Sequence, residues 1–397
     1  MKITARLFIL VIFISFIFAR PSSVLSQIPQ PDIIVCPENS NDSACQFFGP
    51  DGIQQAVDKS TYGTFILVKQ GTYLMRDEVR IIEKVVKILG EGENKTIISG
   101  ENLPERTASM FQIGGSTAVI GNMQITKGVT GIVIYSTYAI DSRAQLFGLN
   151  INNNRIGIAI TQDEPEFVII HNNLIHHNSV GIEVVFGKSV TIQNNTIDSN
   201  QNSIFAGEGS GIWVNKPFTG KAYIYQNIIT NNSHTGGIYS QVPSSQIENS
   251  YNLFWNNTVD YQGISQGKND VYEDPKFVSN TDYHLQSTSP AKNKATDGTE
   301  LGAYGGWGAC NLDPSLCPIS ITPITASPTA TLQPIPIQFG GDANGDNRVN
   351  ILDFEILRGQ FNTNGSSLSA DFNNDNTVNI LDFNILRDNF GVSKLQI

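Results

Sequence analysis

Between Met123 and Asn257, apolar and amide side chains recur in a fixed order. The triplets Met123-Gln124-Ile125, Leu149-Asn150-Ile151, Asn173-Leu174-Ile175, Asn195-Thr196-Ile197, Asn227-Ile228-Ile229 and Asn252-Leu253-Phe254 each end on an apolar residue. From the second triplet onward an Asn follows three places later, at Asn154, Asn178, Asn200, Asn232 and Asn257. A Gly-Ile pair then comes at Gly131, Gly157, Gly181, Gly211 and Gly237, in steps of 26, 24, 30 and 26 residues. Such a period is too short for two helices and a turn, and it suits one coil of short strands.

Strands send alternate side chains to opposite faces. Ile170, Ile175 and Ile182 of one coil are therefore expected to stack on Ile192, Ile197 and Ile212 of the next. Asn suits the bends because it tolerates left-handed backbone and hydrogen-bonds along a stack of its own kind. Gly opens the next strand where a side chain would crowd the bend. No single coil buries its own apolar face, so several coils and a cap at each end are required. This pattern resembles the right-handed parallel β-helix repeat family, which includes pectate-lyase-like proteins, over roughly residues 45–305. The resemblance implies a mainly β solenoid.

The flanks divide the chain further. Residues 1–26 read as a secretory signal, with Lys2 and Arg6 ahead of the apolar run 7–18 and small residues after it. That run is short for a membrane span. Residues 27–317 form the expected β-helix domain. Within it, 52–59 reads as an amphipathic helix, Thr64–Val68 as a strand and Gly71-Thr72-Tyr73 as a turn, an order that resembles the N-terminal cap of secreted β-helix proteins. Strands are expected at Val79–Ile82, 85–89 and 96–98, entering the first regular coil near Phe111. Asp274-Pro275, Tyr283, Ser289-Pro290 and the run 301–306 are expected to close the far end. Four cysteines fit an exported protein. Local bridges Cys36–Cys45 and Cys310–Cys317 are the simplest pairing, although spacing leaves connectivity open. Residues 318–339 alternate Pro with Thr, Ser and Ile and read as a semi-extended linker.

After the linker come two near-copies offset by 29 residues, starting at Asp342 and Asp371. The first offers side-chain oxygens from Asp342, Asn344, Asp346, Asn350 and Asp353, with the backbone carbonyl of Arg348 at position 7. The second offers Asp371, Asn373, Asp375, Asn379 and Asp382, with the carbonyl of Thr377. A hard cation that takes about six to eight oxygens is surrounded in this way by one tight loop. Apolar helices are expected at 354–361 and 383–390. The two loops resemble a type I dockerin, the calcium-dependent module that plugs proteins onto cohesin-bearing scaffolds. The resemblance implies two Ca2+ ions and a module at 340–391, leaving 392–397 as a tail. Position 6, usually Gly, is Asn347 and Asn376, which must take the left-handed turn. Partner choice in dockerins tends to lie at positions 10 and 11, here Ile351-Leu352 and Ile380-Leu381, so the two faces are nearly equivalent.

Charge narrows the partners. Charged residues make up 15% of the chain and the net charge is −11. Nucleic acid needs a basic face and is excluded. Neutral polymers, or acidic ones bridged by calcium, remain. In the strand after each Gly, the outward positions are Val133, Ala159, Glu183, Trp213 and Tyr239. Trp213 and Tyr239 beside Glu183 make a candidate sugar platform, because aromatic rings stack on the apolar faces of pyranoses. In the preceding strand the outward column is His176, Asp198, Thr230 and Trp255, and His176 is placed to hydrogen-bond Asp198. His176, Asp198 and Glu183 are thus the candidate acid–base set, since glycosidases need two carboxylates in distinct environments. His171 and His177 are expected in solvated turns. Neither the acid cluster with a basic partner of pectate lyases, nor the paired-Asp signal of polygalacturonases, nor that of alginate epimerases is present. The expectation is a secreted, polysaccharide-associated β-helix protein docked on a scaffold or cell surface. A polysaccharide lyase or glycoside hydrolase, and a non-catalytic adhesin, are the alternatives.

Overall fold

The computed structural model describes residues 30–306 apart from 105–108, 139 and 202–208, and, beyond 340, residues 341–345, 349, 351–361, 363–365, 368–373, 376–379, 382–383 and 385–386. The expected leader, linker and tail, with Cys310 and Cys317, lie outside the described residues. So do Asp346, Arg348, Asn350, Asp375, Ile380 and Leu381. Of Ile351 and Leu352 only the helical backbone is described.

The repeat winds into a coil with three parallel sheets of ten, eight and eight strands. Each coil gives one strand to each sheet. In the first sheet Ile170 lies opposite Ile192, in the second Ile175 opposite Ile197, and in the third Ile182 opposite Ile212. All six are fully buried in one continuous core. Burying an Ile side chain stabilises by about 1.5–3 kcal/mol, and the stack repeats that gain coil after coil.

Two amide ladders run down the bends. Asn173 Nδ2 donates to Asn195 Oδ1 at 2.9 Å, Asn195 to Asn227 at 3.0 Å, and Asn227 to Asn252 at 3.0 Å. The second ladder links Asn154, Asn178, Asn200, Asn232 and Asn257 at 3.0–3.1 Å. Left-handed backbone is not what selects these residues. The positive φ falls one position earlier, on Asn153, His177, Ser199, Asn231 and Asn256. The ladder Asn is required for its side chain. Asn178 Nδ2, for example, also donates to the carbonyls of Ile151 and His176, tying the bend to its own strand and to the preceding coil. Gly is required after the bend because a Cβ on Gly157 would come within 2.5 Å of the Gly181 carbonyl in the next coil.

The helix Gly49–Lys59 covers one open end, burying Ile53, Ala56 and Val57 on the stack. It begins earlier than the pattern predicts because Pro50 presets the first turn. Gly71–Leu74 is a strand rather than a turn. It pairs with Thr96–Ser99, and Tyr73 points inward with its hydroxyl on the Val35 and Lys69 carbonyls. Regular coils therefore begin at Thr64, well before Phe111. Cys36 is bridged to Cys45 beside this cap. At the other end Phe254 is closed over by Tyr261 and Tyr272, with ring centroids at 4.6 and 5.9 Å.

The segment from Phe277 to Gly306 does more than close that end. It runs back across the outer face of the second sheet. Leu285, Ala291, Ala295 and Leu301 pack on Ile228 and Leu253, while Tyr283, Ala303 and Tyr304 pack on Leu174. Asn172 Nδ2 donates to the carbonyls of Ala303 and Gly305, and the Ala303 N–H donates to Thr196 Oγ1. This strap converts an outward face into an interior. Among the described residues no helix is long and apolar enough to cross a membrane.

Candidate functional site

The third sheet places Ala159, Glu183, Trp213 and Tyr239 in register on one outward column. Trp213 and Tyr239 stack with centroids 6.1 Å apart and planes 16° apart. Their faces cover each other, so the column offers ring edges and polar atoms outward. The Tyr239 hydroxyl accepts from Gln241 Nε2 at 3.0 Å. The Trp213 indole N–H is buried with no acceptor among the described residues. Burial raises the Glu183 carboxyl above the usual carboxylate range, against the opposing Asn215 hydrogen bond and the Arg155 charge. Glu208, in the longer stretch between Ile197 and Gly211, lies outside the described residues.

The second sheet places His176, Asp198, Thr230 and Trp255 in register as expected. The expected His176–Asp198 hydrogen bond is not made. His176 Nε2 donates to Asn150 Oδ1 at 2.9 Å, and its Nδ1 is 2.7 Å from His177 Nδ1. Burial first, then the neighbouring His177, depress the His176 pKa to about 4, with Asp198 opposing. The ring is neutral at neutral pH, and both nitrogens are engaged. Asp198 is buried and accepts from Thr230 Oγ1 at 2.6 Å, Asn231 Nδ2 at 2.7 Å and Tyr283 Oη at 3.1 Å. It thereby fastens the strap to the coil. Glu183 lies on a different sheet and shares no hydrogen bond with either residue; its side-chain partner is Asn215 at 3.4 Å. His171 is not a solvated turn residue. It ends a strand, is buried, stacks on Phe147 and bonds Gln145 and Asn172. His177 is exposed in a left-handed turn position.

Tyr283 was not legible as a partner of Asp198. The available signal was the apolar character of Leu174, Ile228 and Leu253 at outward positions, which marks a face that something must cover.

The C-terminal loops show how carboxylates are set for a cation. Asp353 and Asp382 at position 12 are fully buried, and Asp342 and Asp371 at position 1 nearly so. Asp353 Oδ1 accepts the backbone N–H of Ala343 and Asn344, and Asp382 Oδ1 accepts those of Phe372 and Asn373. Each loop is thus drawn closed by its last carboxylate. Asp342 Oδ1 accepts the Gly345 N–H, and Asp371 Oδ2 accepts the Asn376 N–H. Asn376 takes the left-handed turn with φ 65°. Two buried carboxylates within one loop, with all-oxygen donors around them, fit Ca2+. Asn344, Asn373, Thr377 and Asn379 lie on the same loops.

Residues 109–282 match the family model of the right handed beta helix region, and residues 340–390 match that of the dockerin type I domain. No curated protein matches the chain. Among solved structures it is similar to the pectate lyase Pel9A, with 14% identity and a TM-score of 0.42, over 69% of this chain and 96% of that one. An alginate lyase from Paenibacillus sp. shares 14% identity at a TM-score of 0.40, over 56% of this chain and 93% of that one. The pectin methylesterase PemA from Erwinia chrysanthemi shares 12% identity at 0.36, over 65% and 100%. At these scores none of the three bears on substrate. The ladder geometry and the paired acidic loops, taken with the two family matches, make this chain a right-handed parallel β-helix protein with a C-terminal type I dockerin domain.

Proposed function

We propose that this is an exported protein that docks through its dockerin onto a cohesin-bearing scaffold or cell surface and there presents its β-helix to polysaccharide. The observation that carries the docking is the pair of loops, each closed by a buried position-12 carboxylate. One Ca2+ per loop would be held by Asp342, Asn344, Asp346, the Arg348 carbonyl, Asn350 and Asp353, and by Asp371, Asn373, Asp375, the Thr377 carbonyl, Asn379 and Asp382. The ion neutralises the buried carboxylates, and in such modules its binding energy is folding energy. Ile351, Leu352, Ile380 and Leu381 form the cohesin contact. Calcium titration of the full chain should find two sites, with one lost in Asp353→Ala and the other in Asp382→Ala. Cohesin capture should disappear with EDTA. Cohesin capture that persists after complete chelation would overturn the docking role.

On the β-helix, the Glu183–Trp213–Tyr239 column is the proposed polysaccharide contact, edge-on through its rings and polar atoms. One observation favours a second reading, a glycoside hydrolase or lyase: burial raises the Glu183 carboxyl, as a general acid requires. New reducing ends on a polysaccharide panel would support hydrolysis. Ultraviolet absorbance of unsaturated uronides would add a lyase. Silence with retained binding leaves a docked binding module.

A further inference from the structure

We propose a second glycan-binding site, specific for neutral polysaccharide, in the cleft between the rim of the second sheet and the start of the strap. The cleft has a volume of about 990 Å3, at the upper end of the range for ligand pockets. It does not overlap the Glu183–Trp213–Tyr239 column.

Its floor follows from the coil. Trp255 ends the outward column His176–Asp198–Thr230. The strap roofs Asp198 through Tyr283 but stops short of Trp255, whose side chain is left 44% exposed. Next to this column the bend residues Ser199, Asn231 and Asn256, one per coil, all take left-handed backbone. Their side chains are chained together. Asn256 Nδ2 donates to Asn231 Oδ1 at 2.7 Å, and Asn231 Nδ2 donates to Asp198 Oδ1. Asn256 is exposed, and its carbonyl oxygen accepts no hydrogen bond among the described residues. Polar groups thus recur at the coil spacing of about 4.8 Å, close to the length of one pyranose unit. Amides donate and accept at once, as sugar hydroxyls require, and the open indole supplies the stacking surface.

Charge selects the class of glycan. Besides Tyr283, whose hydroxyl is bonded to Asp198, the ionisable residues of the lining are His177, Asp198, Asp274 and Lys276. Asp198 is buried under three donors. Asp274 accepts the Lys276 N–H, and Lys276 Nζ donates to the Thr288 carbonyl. One acid and one lysine at the opening provide no surplus of positive charge for a polyuronate. A neutral chain loses nothing there.

The test is isothermal titration of the full chain with cellohexaose, xylohexaose, mannohexaose and oligogalacturonate, using wild-type, Trp255→Ala and Trp213→Ala proteins. Thermal unfolding checks that each variant is folded. The expected result is binding of a neutral oligosaccharide, weakened about tenfold or more by Trp255→Ala and by more than any loss on Trp213→Ala. Binding of oligogalacturonate alone would overturn the neutral specificity. Neutral binding untouched by Trp255→Ala, or no neutral binding at all, would overturn the site. Loss on Trp213→Ala alone would keep the third-sheet contact and eliminate the cleft.

Discussion

The second and third sheets come from the same repeat, yet their outward columns have opposite fates. On the third sheet Glu183, Trp213 and Tyr239 remain at the surface, half-buried by their neighbours. On the second sheet Asp198 and Thr230 are buried beneath the strap, with Tyr283 bonded to the carboxylate. Periodicity settles which side chains leave the core. It does not settle whether they meet water, because that depends on a segment some 85 residues further along the chain. A polar column such as His176–Asp198 can therefore serve packing rather than chemistry.

If the strap makes the difference, the largest effect belongs to its packing. Leu253→Ala removes a fully buried side chain from beneath Leu285 and Leu301 and should cost about 2–5 kcal/mol in urea unfolding. Val133→Ala, outward on the third sheet, should cost less than about 1 kcal/mol. Equal costs would break the contrast.

Acidity should separate the two columns next. The pKa of His176 is lowered to about 4 by burial, whereas in the unfolded chain it is about 6.5. Below about pH 6.5 the unfolded state takes up a proton that the native state refuses, so stability falls from there down to about pH 4. The loss approaches about 3 kcal/mol, and denaturant midpoints measured across this range should show it. His176→Gln should flatten the slope.

Tyr283→Phe removes one of three donors to a buried carboxylate, for an expected cost of about 1–3 kcal/mol, read as a drop in urea midpoint. The smallest effect is that of Glu183, and its sign is opposite. Its pKa is raised by burial, so its contribution to stability is present at low pH and lost as pH rises through the native value. Glu183→Gln in the His176→Gln background should remove that residual rise toward acid in the same titration.

Much of the architecture was readable in the sequence. The inward stack, the ladder positions, the glycines and both acidic loops each follow from a local period or spacing. What escaped was long-range or one residue off. The left-handed turn sits before each ladder Asn, because the amide is needed to hold the bend while the preceding residue makes it. His171 is buried because Phe147 and Gln145 of the previous coil happen to cover it. From sequence alone the strap reads as an end cap, since nothing within 277–306 states which face it will cross. Only the apolar Leu174, Ile228 and Leu253 on the far side carry that information. For the site, the loops are legible from the spacing of their acids, whereas the expected His176–Asp198 bond gives way to bonds from His176 to Asn150 and from Tyr283 to Asp198, which no local spacing announces.

The most direct measurement loads the full chain onto an immobilised polysaccharide, adds a cohesin, and then adds EDTA. If attachment and glycan contact reside at separate ends, the cohesin should leave and the chain should stay on the polysaccharide. Release of the chain together with the cohesin, or no retention on any neutral or acidic polymer, would contradict that division of labour.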